Sequence, residues 1–362
     1  MSLRARRLKK VLAEKGLTGM AVSSTSNMLY LAGIPIQSFE RFAALLVPTD
    51  SEPALVLPEL EAEKAREQSD IKDVRSYSDE SGPSEVIARA LTDLKITHGR
   101  LGVERTLPFD FCSKILKAAP NLKMEDATGA VMELRLKKEP QELSFMKKAG
   151  QIVEKGIQAG VDSIEVGATE LQIGFEIEKE IRMLGGEKVP FNAVLAGGNA
   201  ALPHGESSES KVRKGDCVLM DVSATYHGYY ADLSRTVFVG EISSTQRRVY
   251  ETVLAAQTAA ISSIRPGVVA GSLDRKARAV ISKAGFGDRF IHRTGHGLGL
   301  DVHEDPSITS ACPLVLQPGM TFTVEPGIYL PGKLGVRIED DLLVTDEGGT
   351  TLGRCDKEIL VL

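Results

Sequence analysis

Apolar residues recur along this chain in two rhythms. In the first third, GMAVSS (19–24), FAALLVP (42–48), PALVLP (53–58) and LGVE (101–104) are short apolar runs that read as strands. Between them, 3–15, 59–68, 83–94 and 108–118 space their apolar residues as amphipathic helices. Strands alternating with helices predict an α/β domain. The rhythm changes at MELRLKKEPQELSFMKKAGQIVEKGIQAG (132–160), where Pro140 suits the first turn of a new helix. Long helical patterns are expected near 140–162 and 168–184, strands after Gly185 and Gly186, and helices again near 244–264 and 270–284. The second part therefore reads as α+β, with helices covering a layer of strands. The expected division is an α/β domain over residues 1–128 and an α+β domain over 129–362.

Composition narrows this picture. With 42% hydrophobic and 26% charged residues the chain reads as a soluble globular protein, long enough for two domains. A net charge of −5 gives no reason to expect nucleic acid as a partner. The start, MSLRARRLKKVL, is basic and lacks the apolar core of a signal peptide, and Leu8, Val11 and Leu12 fall at helical spacing. Runs such as FAALLV (42–47) are too short to span a membrane, so no membrane partner is expected. The four cysteines, at 112, 217, 312 and 355, form no CxxC pair, and Cys217 sits in an apolar run as a buried thiol would. That usage suits a reducing cytoplasm.

Candidate chemistry concentrates in the second part. Three of the six histidines fall in HRTGHGLGLDVHE, His292–Glu304. A helix there is disfavoured, because Gly295, Gly297 and Gly299 would each cost roughly 1 kcal/mol. A loop running into a strand fits better. Upstream, CVLMDV and YYADLSRTVFV read as two strands of a hairpin around TYHGY. Asp221 and Asp232 share one face of it: directly opposed if the turn centres on Tyr226–His227, diagonal if on His227–Gly228. Carboxylates that close repel unless one is protonated or a cation holds both. Glu325 ends a strand before Pro326–Gly327, and Glu339 sits in the strand-like run LGVRIEDDLLVT (334–345). Arg337, two residues before Glu339, faces the same way, as an ion-pair partner or as the group that orients a ligand.

The candidate ligands are thus Asp221, Asp232, His296, Glu325 and Glu339. Hard oxygen donors favour Mn, Co, Fe or Zn over a thiolate zinc site. Four carboxylates and one imidazole suit two divalent ions, which activate water and polarise a carbonyl. On this reading the glycines let the backbone of His296 approach the metals.

PHG (203–205), Asp221 and Asp232 spaced D-x10-D, GHGLGLDVHE (295–304), VEPG (324–327) and VRIED (336–340), in this order, resemble the pita-bread metallopeptidases. That family includes prolidases, Xaa-Pro aminopeptidases and methionine aminopeptidases. The N-terminal half resembles the creatinase-type domain of proline-specific members, through NMLYLAG (27–33) and the junction ELRLKKEPQEL. The resemblance implies an α/β creatinase-like domain ahead of an α+β pita-bread domain. It implies that Asp221 chelates one metal, Asp232 and Glu339 bridge two, and His296 and Glu325 hold the second. Mn or Co would be the metal, with Zn or Fe as alternatives. Glu325 would be the general base, His303 would contact the scissile carbonyl, and His204 would line the substrate site and help transfer protons. Arg337 would orient a ligand or contact the substrate carboxylate. His292 and His227 match no catalytic role and read as structural.

The implied function is hydrolysis of the Xaa-Pro bond of a di- or oligopeptide, as a prolidase (Xaa-Pro dipeptidase) or alternatively as an Xaa-Pro aminopeptidase on longer peptides. Proline-specific members are commonly homodimers, so a homodimer is expected. A metal-free creatinase-like hydrolase and a non-catalytic binding module are the distant alternatives, and the intact ligand set speaks against both. Ser234 stands where the family usually has threonine and keeps the hydroxyl, and Ser223 stands where glycine is common. Some prolidases read the dipeptide carboxylate with an arginine shortly before the VEPG strand. SITSACPLVL (307–316) contains none, which leaves Arg337 or the partner subunit to supply the charge.

Overall fold

The computed structural model describes residues 2–37 and 39–362. The chain divides into two compact units, Met1–Arg135 and Leu136–Leu362.

The first unit runs α1 (Leu3–Glu14), β1 (Gly19–Val22), α2 (Thr25–Ala32), β2 (Ala44–Pro48), β3 (Ala54–Pro58), α3 (Glu59–Gln68), β4 (Asp73–Tyr77), α4 (Ser84–Asp93), β5 (His98–Val103), α5 (Phe109–Ala118), β6 (Asn121–Asp126) and α6 (Thr128–Arg135). Its six strands form one mixed sheet in the order β4-β3-β2-β1-β5-β6. The four apolar runs form its interior strands. The edges, DVRSY in β4 and NLKMED in β6, are too polar to announce themselves as strands, which is usual for sheet edges. Helix α2 was not expected either. Ser24 caps it and Gly33 ends it at φ 76°.

A boundary at 128/129 would cut immediately inside α6. That helix belongs to the first unit: it buries Ala130 and Val131, the Leu134 carbonyl accepts from Tyr30 Oη (2.9 Å), and Arg135 donates to Asn27 Oδ1 (2.6 Å).

The second unit runs α7 (Pro140–Asp162), α8 (Glu170–Met183), β7 (Phe191–Ala196), β8 (Cys217–Tyr226), β9 (Tyr229–Phe238), α9 (Ser244–Ile261), α10 (Gly271–Lys283), β10 (Gly295–Gly297), β11 (Glu304–Ile308), β12 (Thr321–Val324), β13 (Gly327–Leu330), β14 (Leu334–Arg337), β15 (Asp340–Val344) and β16 (Gly349–Thr351). Pro140 does open α7, within a capping box formed by Glu139 and Glu142. The strands form antiparallel groups: β7-β8-β9, the hairpin β13-β14, and β11-β10-β12-β15-β16.

Strand β8 explains how the site is placed. Val218, Met220, Val222 and Ala224 pack into one core with Ile152, Val153, Ile173 and Ile177 of α7 and α8. The alternate positions face the other way, where Cys217 and Leu219 join a second core built with α9, α10, β12 and β15. Two residues further on, that same face presents Asp221. The period of two thus seats an acid at the margin of an apolar core.

Candidate metal centre and active site

The β8–β9 turn centres on His227–Gly228, both at positive φ (50° and 77°), as a type I′ hairpin requires. Asp221 therefore pairs with Ser234, and Asp232 with Ser223, so the two aspartates are diagonal neighbours on one face. Glu325 follows β12 directly, its amide donating to the Thr294 carbonyl (2.8 Å). Glu339 differs from expectation. The run 334–345 is not one strand: β14 pairs with β13 while β15 pairs with β12, and Glu339 lies where the chain crosses between them. Its amide donates to the Ser234 carbonyl (3.1 Å), which fixes it beside the hairpin.

His296 sits at the middle of β10. The flanking glycines answer to packing. A Cβ on Gly295 would run into the Thr323 carbonyl, and one on Gly297 into the backbone of Asp305. Glycine here lets β10 lie against its two neighbouring strands.

These segments bring Asp221, Asp232, His296, Glu325 and Glu339 to one cavity of about 420 Å³, which His204, His303 and Arg337 also line. Asp232, His296 and Glu339 each offer a ligand atom within 4.8 Å of the others. His296 Nε2 lies 3.3 Å from Glu325 Oε1 and 3.8 Å from Asp232 Oδ2. The ring's Nδ1 faces the Gly297 carbonyl at 3.1 Å and so carries the proton of the neutral imidazole. Burial, with His303 adding to it, lowers the His296 pKa to about 3, so the ring is neutral at pH 7. A bare Nε2 lone pair then points at carboxylate oxygens.

The acids carry the same imbalance. Burial, then repulsion from Asp221, Asp341 and Glu325, raises Asp232 well above the usual carboxylate range. Burial and then Asp232 raise Glu339 likewise, and burial pushes Glu325 up to about 7. Acids held above their usual range around a bare imidazole nitrogen are groups that a cation would reconcile, and this all-oxygen set with one imidazole is the donor set for hard or borderline divalent ions.

Basic groups line the same cavity. Arg337 is buried, and hydrogen bonds to Ser234 Oγ (2.8 Å), Tyr329 Oη (3.0 Å), the Pro203 carbonyl (3.3 Å) and Asp221 occupy four of its five N–H donors. His303 touches the His296 ring edge-on at 4.2 Å, and burial, then Arg293 and His204, lowers its pKa. His292, read as structural, lines the cavity too. Its Nδ1 donates to the Arg293 carbonyl (2.7 Å) and its Nε2 accepts from Tyr329 Oη (2.8 Å). His227 lies at the hairpin turn, stacked on Phe145 at 4.6 Å.

Sequence reasoning missed Arg293. It lines the cavity, and one guanidinium nitrogen donates to Ser307 Oγ (3.3 Å). Its place beside His292 in the histidine–glycine stretch was the available signal. Phe191 and Val302 supply apolar wall.

Known proteins resemble the chain along nearly its whole length. Residues 144–346 match metallopeptidase family M24, and residues 4–137 match the creatinase/prolidase N-terminal domain. An Xaa-Pro dipeptidase of Pyrococcus horikoshii is 32% identical over 362 residues, covering 99% of both chains. The crystal structure of recombinant prolidase from Thermococcus sibiricus superposes with a TM-score of 0.95 at 36% identity, covering 100% of each chain. That of the X-Pro aminopeptidase from Thermotoga maritima superposes with a TM-score of 0.88 at 31% identity, covering 99% of each. With its creatinase-type domain, its pita-bread domain and the motifs in the order that family uses, the chain belongs to metallopeptidase family M24.

Proposed function

We propose that this metallopeptidase hydrolyses the bond between a first residue and proline, chiefly in dipeptides. The observation that carries the reading is one cavity of about 420 Å³ lined both by carboxylates and by basic side chains, the complement of a short zwitterionic peptide. Relatives named for Xaa-Pro dipeptidase activity support the same substrate class.

Asp221, Asp232, His296, Glu325 and Glu339 would hold two divalent cations, Mn²⁺ or Co²⁺ by preference and Zn²⁺ or Fe²⁺ as alternatives. Such cations polarise the scissile carbonyl and acidify water. The protein's own groups do the rest. Glu325 takes the proton of the attacking water, the task of a positioned carboxylate. His303 donates to the carbonyl oxygen as charge develops there. His204, on the exposed rim, passes a proton to the departing proline nitrogen. Because four of the five donors of Arg337 are taken up within the protein, one of them by Asp221, we assign it to orienting Asp221. The substrate carboxylate falls to Arg293, whose planar guanidinium keeps donors beyond the one on Ser307. This supplies the charge that 307–316 lacks. Phe191 and Val302 would pack against the proline ring.

The test is hydrolysis by metal-stripped protein reloaded with Mn²⁺, given Ala-Pro and Ala-Pro-Ala in parallel. Preference for the dipeptide is the expected result. Preference for the tripeptide would make the protein an Xaa-Pro aminopeptidase, the reading favoured by the Thermotoga maritima structure. Cleavage of neither, with two metals bound, would sink the proline assignment. We further propose a homodimer, on the family resemblance, so the solution mass should be twice 39.0 kDa. The four free cysteines support a cytoplasmic location. Among the described residues no helix is long and apolar enough to cross a membrane.

A further inference from the structure

Arg293 is held from outside the cavity. Helix α10 carries Asp274, fully buried, and Arg278 one turn later, about one-third exposed (36%). The two form an ion pair, Arg278 Nε–Asp274 Oδ2 2.8 Å. Asp274 Oδ1 accepts from the Thr294 amide (3.2 Å) and from Thr294 Oγ1 (2.7 Å). Arg278 donates to the Phe290 carbonyl (2.9 Å) and to the His292 carbonyl, and its guanidinium lies over the Phe290 ring at 4.3 Å.

The consequence falls on one residue. The peptide plane before Arg293 carries the His292 carbonyl, which Arg278 binds. The plane after it carries the Thr294 amide, which Asp274 binds, and the Arg293 carbonyl, which His292 Nδ1 binds (2.7 Å). Both planes that flank the Arg293 Cα are fixed, so its Cα–Cβ direction is fixed. Ser307 Oγ holds the far end of the side chain. A salt bridge with one partner buried is a weak source of stability, since desolvation offsets much of the attraction. Holding a loop in one geometry is a better use of it.

We infer that Asp274 and Arg278 are positioning residues that aim Arg293 at the carboxylate of the substrate's proline. The inference rests on the assignment of that carboxylate to Arg293. Neither residue lines the cavity, so neither touches substrate. Releasing Arg278 alone frees the His292–Arg293 peptide plane while Asp274 still holds Thr294, whose carbonyl accepts from the Glu325 amide, so the acids keep their places. Affinity for the charged end of the substrate then falls while the chemical step is kept.

The experiment compares steady-state kinetics on Ala-Pro and Ala-Pro-amide, the latter lacking the carboxylate, for wild type, Arg293→Ala, Arg278→Met, Arg278→Lys and the Arg278→Met/Arg293→Ala double variant. Arg278→Met should raise KM for Ala-Pro about three- to tenfold, leave kcat near wild type and leave Ala-Pro-amide unchanged. Arg278→Lys should give a smaller rise, and the double variant should be no worse than Arg293→Ala alone. A merely structural role would instead move both substrates together. If Arg293→Ala fails to narrow the gap between the two substrates, the carboxylate assignment falls, and this inference with it. If Arg293→Ala narrows it but the Arg278 variants do not, the assignment stands and the positioning role is overturned. Should Arg278→Met not fold, Arg278→Lys decides, and an unchanged KM for Ala-Pro there overturns the role.

Discussion

The Ser234 hydroxyl joins Glu339 to the rest of the acid cluster: its oxygen stands 2.6 Å from Glu339 Oε2 and 2.7 Å from Asp221 Oδ1, while it accepts from Arg337 Nε at 2.8 Å. One hydroxyl carries one proton and cannot donate to both carboxylates at once. With cations in place both acids are ionised, and the hydroxyl only has to orient one of them. Ser234→Ala should therefore weaken metal binding about ten- to a hundredfold, and Ser234→Thr should restore it. Titration of stripped protein with Mn²⁺, read by calorimetry, checks both variants. Equal affinity in Ser234→Ala and wild type would show that the hydroxyl orients neither acid.

The two histidines that touch in the cavity should separate cleanly. His296→Ala should lose bound metal and turnover together. His303→Ala should keep two ions per chain, yet lose about 10²–10³ in kcat, the usual scale for a group that stabilises a developing oxyanion. Metal analysis beside kinetics distinguishes them. Loss of metal in His303→Ala would move that residue into the ligand set.

Stripping the metals should leave a protein that weakens as pH rises. Glu325 has an ordinary value of 4.5 and a folded value of about 7, raised chiefly by burial. A carboxyl whose folded pKa is raised binds its proton more tightly in the native state. Its contribution is unaltered below about pH 4.5 and is lost progressively up to about pH 7, on the order of 3 kcal/mol in all. Thermal melts of stripped wild type and stripped Glu325→Gln across that window provide the comparison. Wild type should lose ground relative to the variant as pH rises, and reloading wild type with Mn²⁺ should reverse that loss. Parallel pH curves for the two stripped proteins would contradict the assignment.

The glycines of β10 should not be equivalent to Gly299. Gly295→Ala and Gly297→Ala place a methyl against backbone, of Thr323 and of Asp305 respectively, and should each cost about 3 kcal/mol. At Gly299 the nearest atoms are side-chain and not backbone, those of the buried Lys138–Glu304 ion pair (3.3 Å), so Gly299→Ala should cost less, about 2 kcal/mol, by displacing that pair. Denaturant unfolding ranks the three. A Gly295→Ala variant as stable as wild type would mean that β10 has slack the structure does not contain.

What could be read from the sequence follows physical lines. Helices α7 to α10 carry long amphipathic patterns, and the interior strands of the first unit carry unbroken apolar runs, so both were visible. Edge strands β4 and β6 bury little and so left no pattern. The ligand candidates were legible because acids in apolar strands, such as Asp221 and Asp232, have few structural reasons to be there. Arg293 was not, because an arginine in a loop acquires meaning only from what pins the loop, and here that is a helix from an earlier part of the chain. The split of 334–345 into two strands was hidden for a related reason. Ile338 and Leu342 look continuous until one knows that β14 and β15 pair with different partners.

That crossing also decides where along the chain the site comes from. Asp221 and Asp232 share one hairpin, whereas His296 and Glu325 belong to β10 and the end of β12, and Glu339 is placed only where β15 pairs with β12 and β14 with β13. A donor set drawn from such separate segments exists only in the finished fold, so any preference among ions belongs to the whole unit and to no single stretch of it.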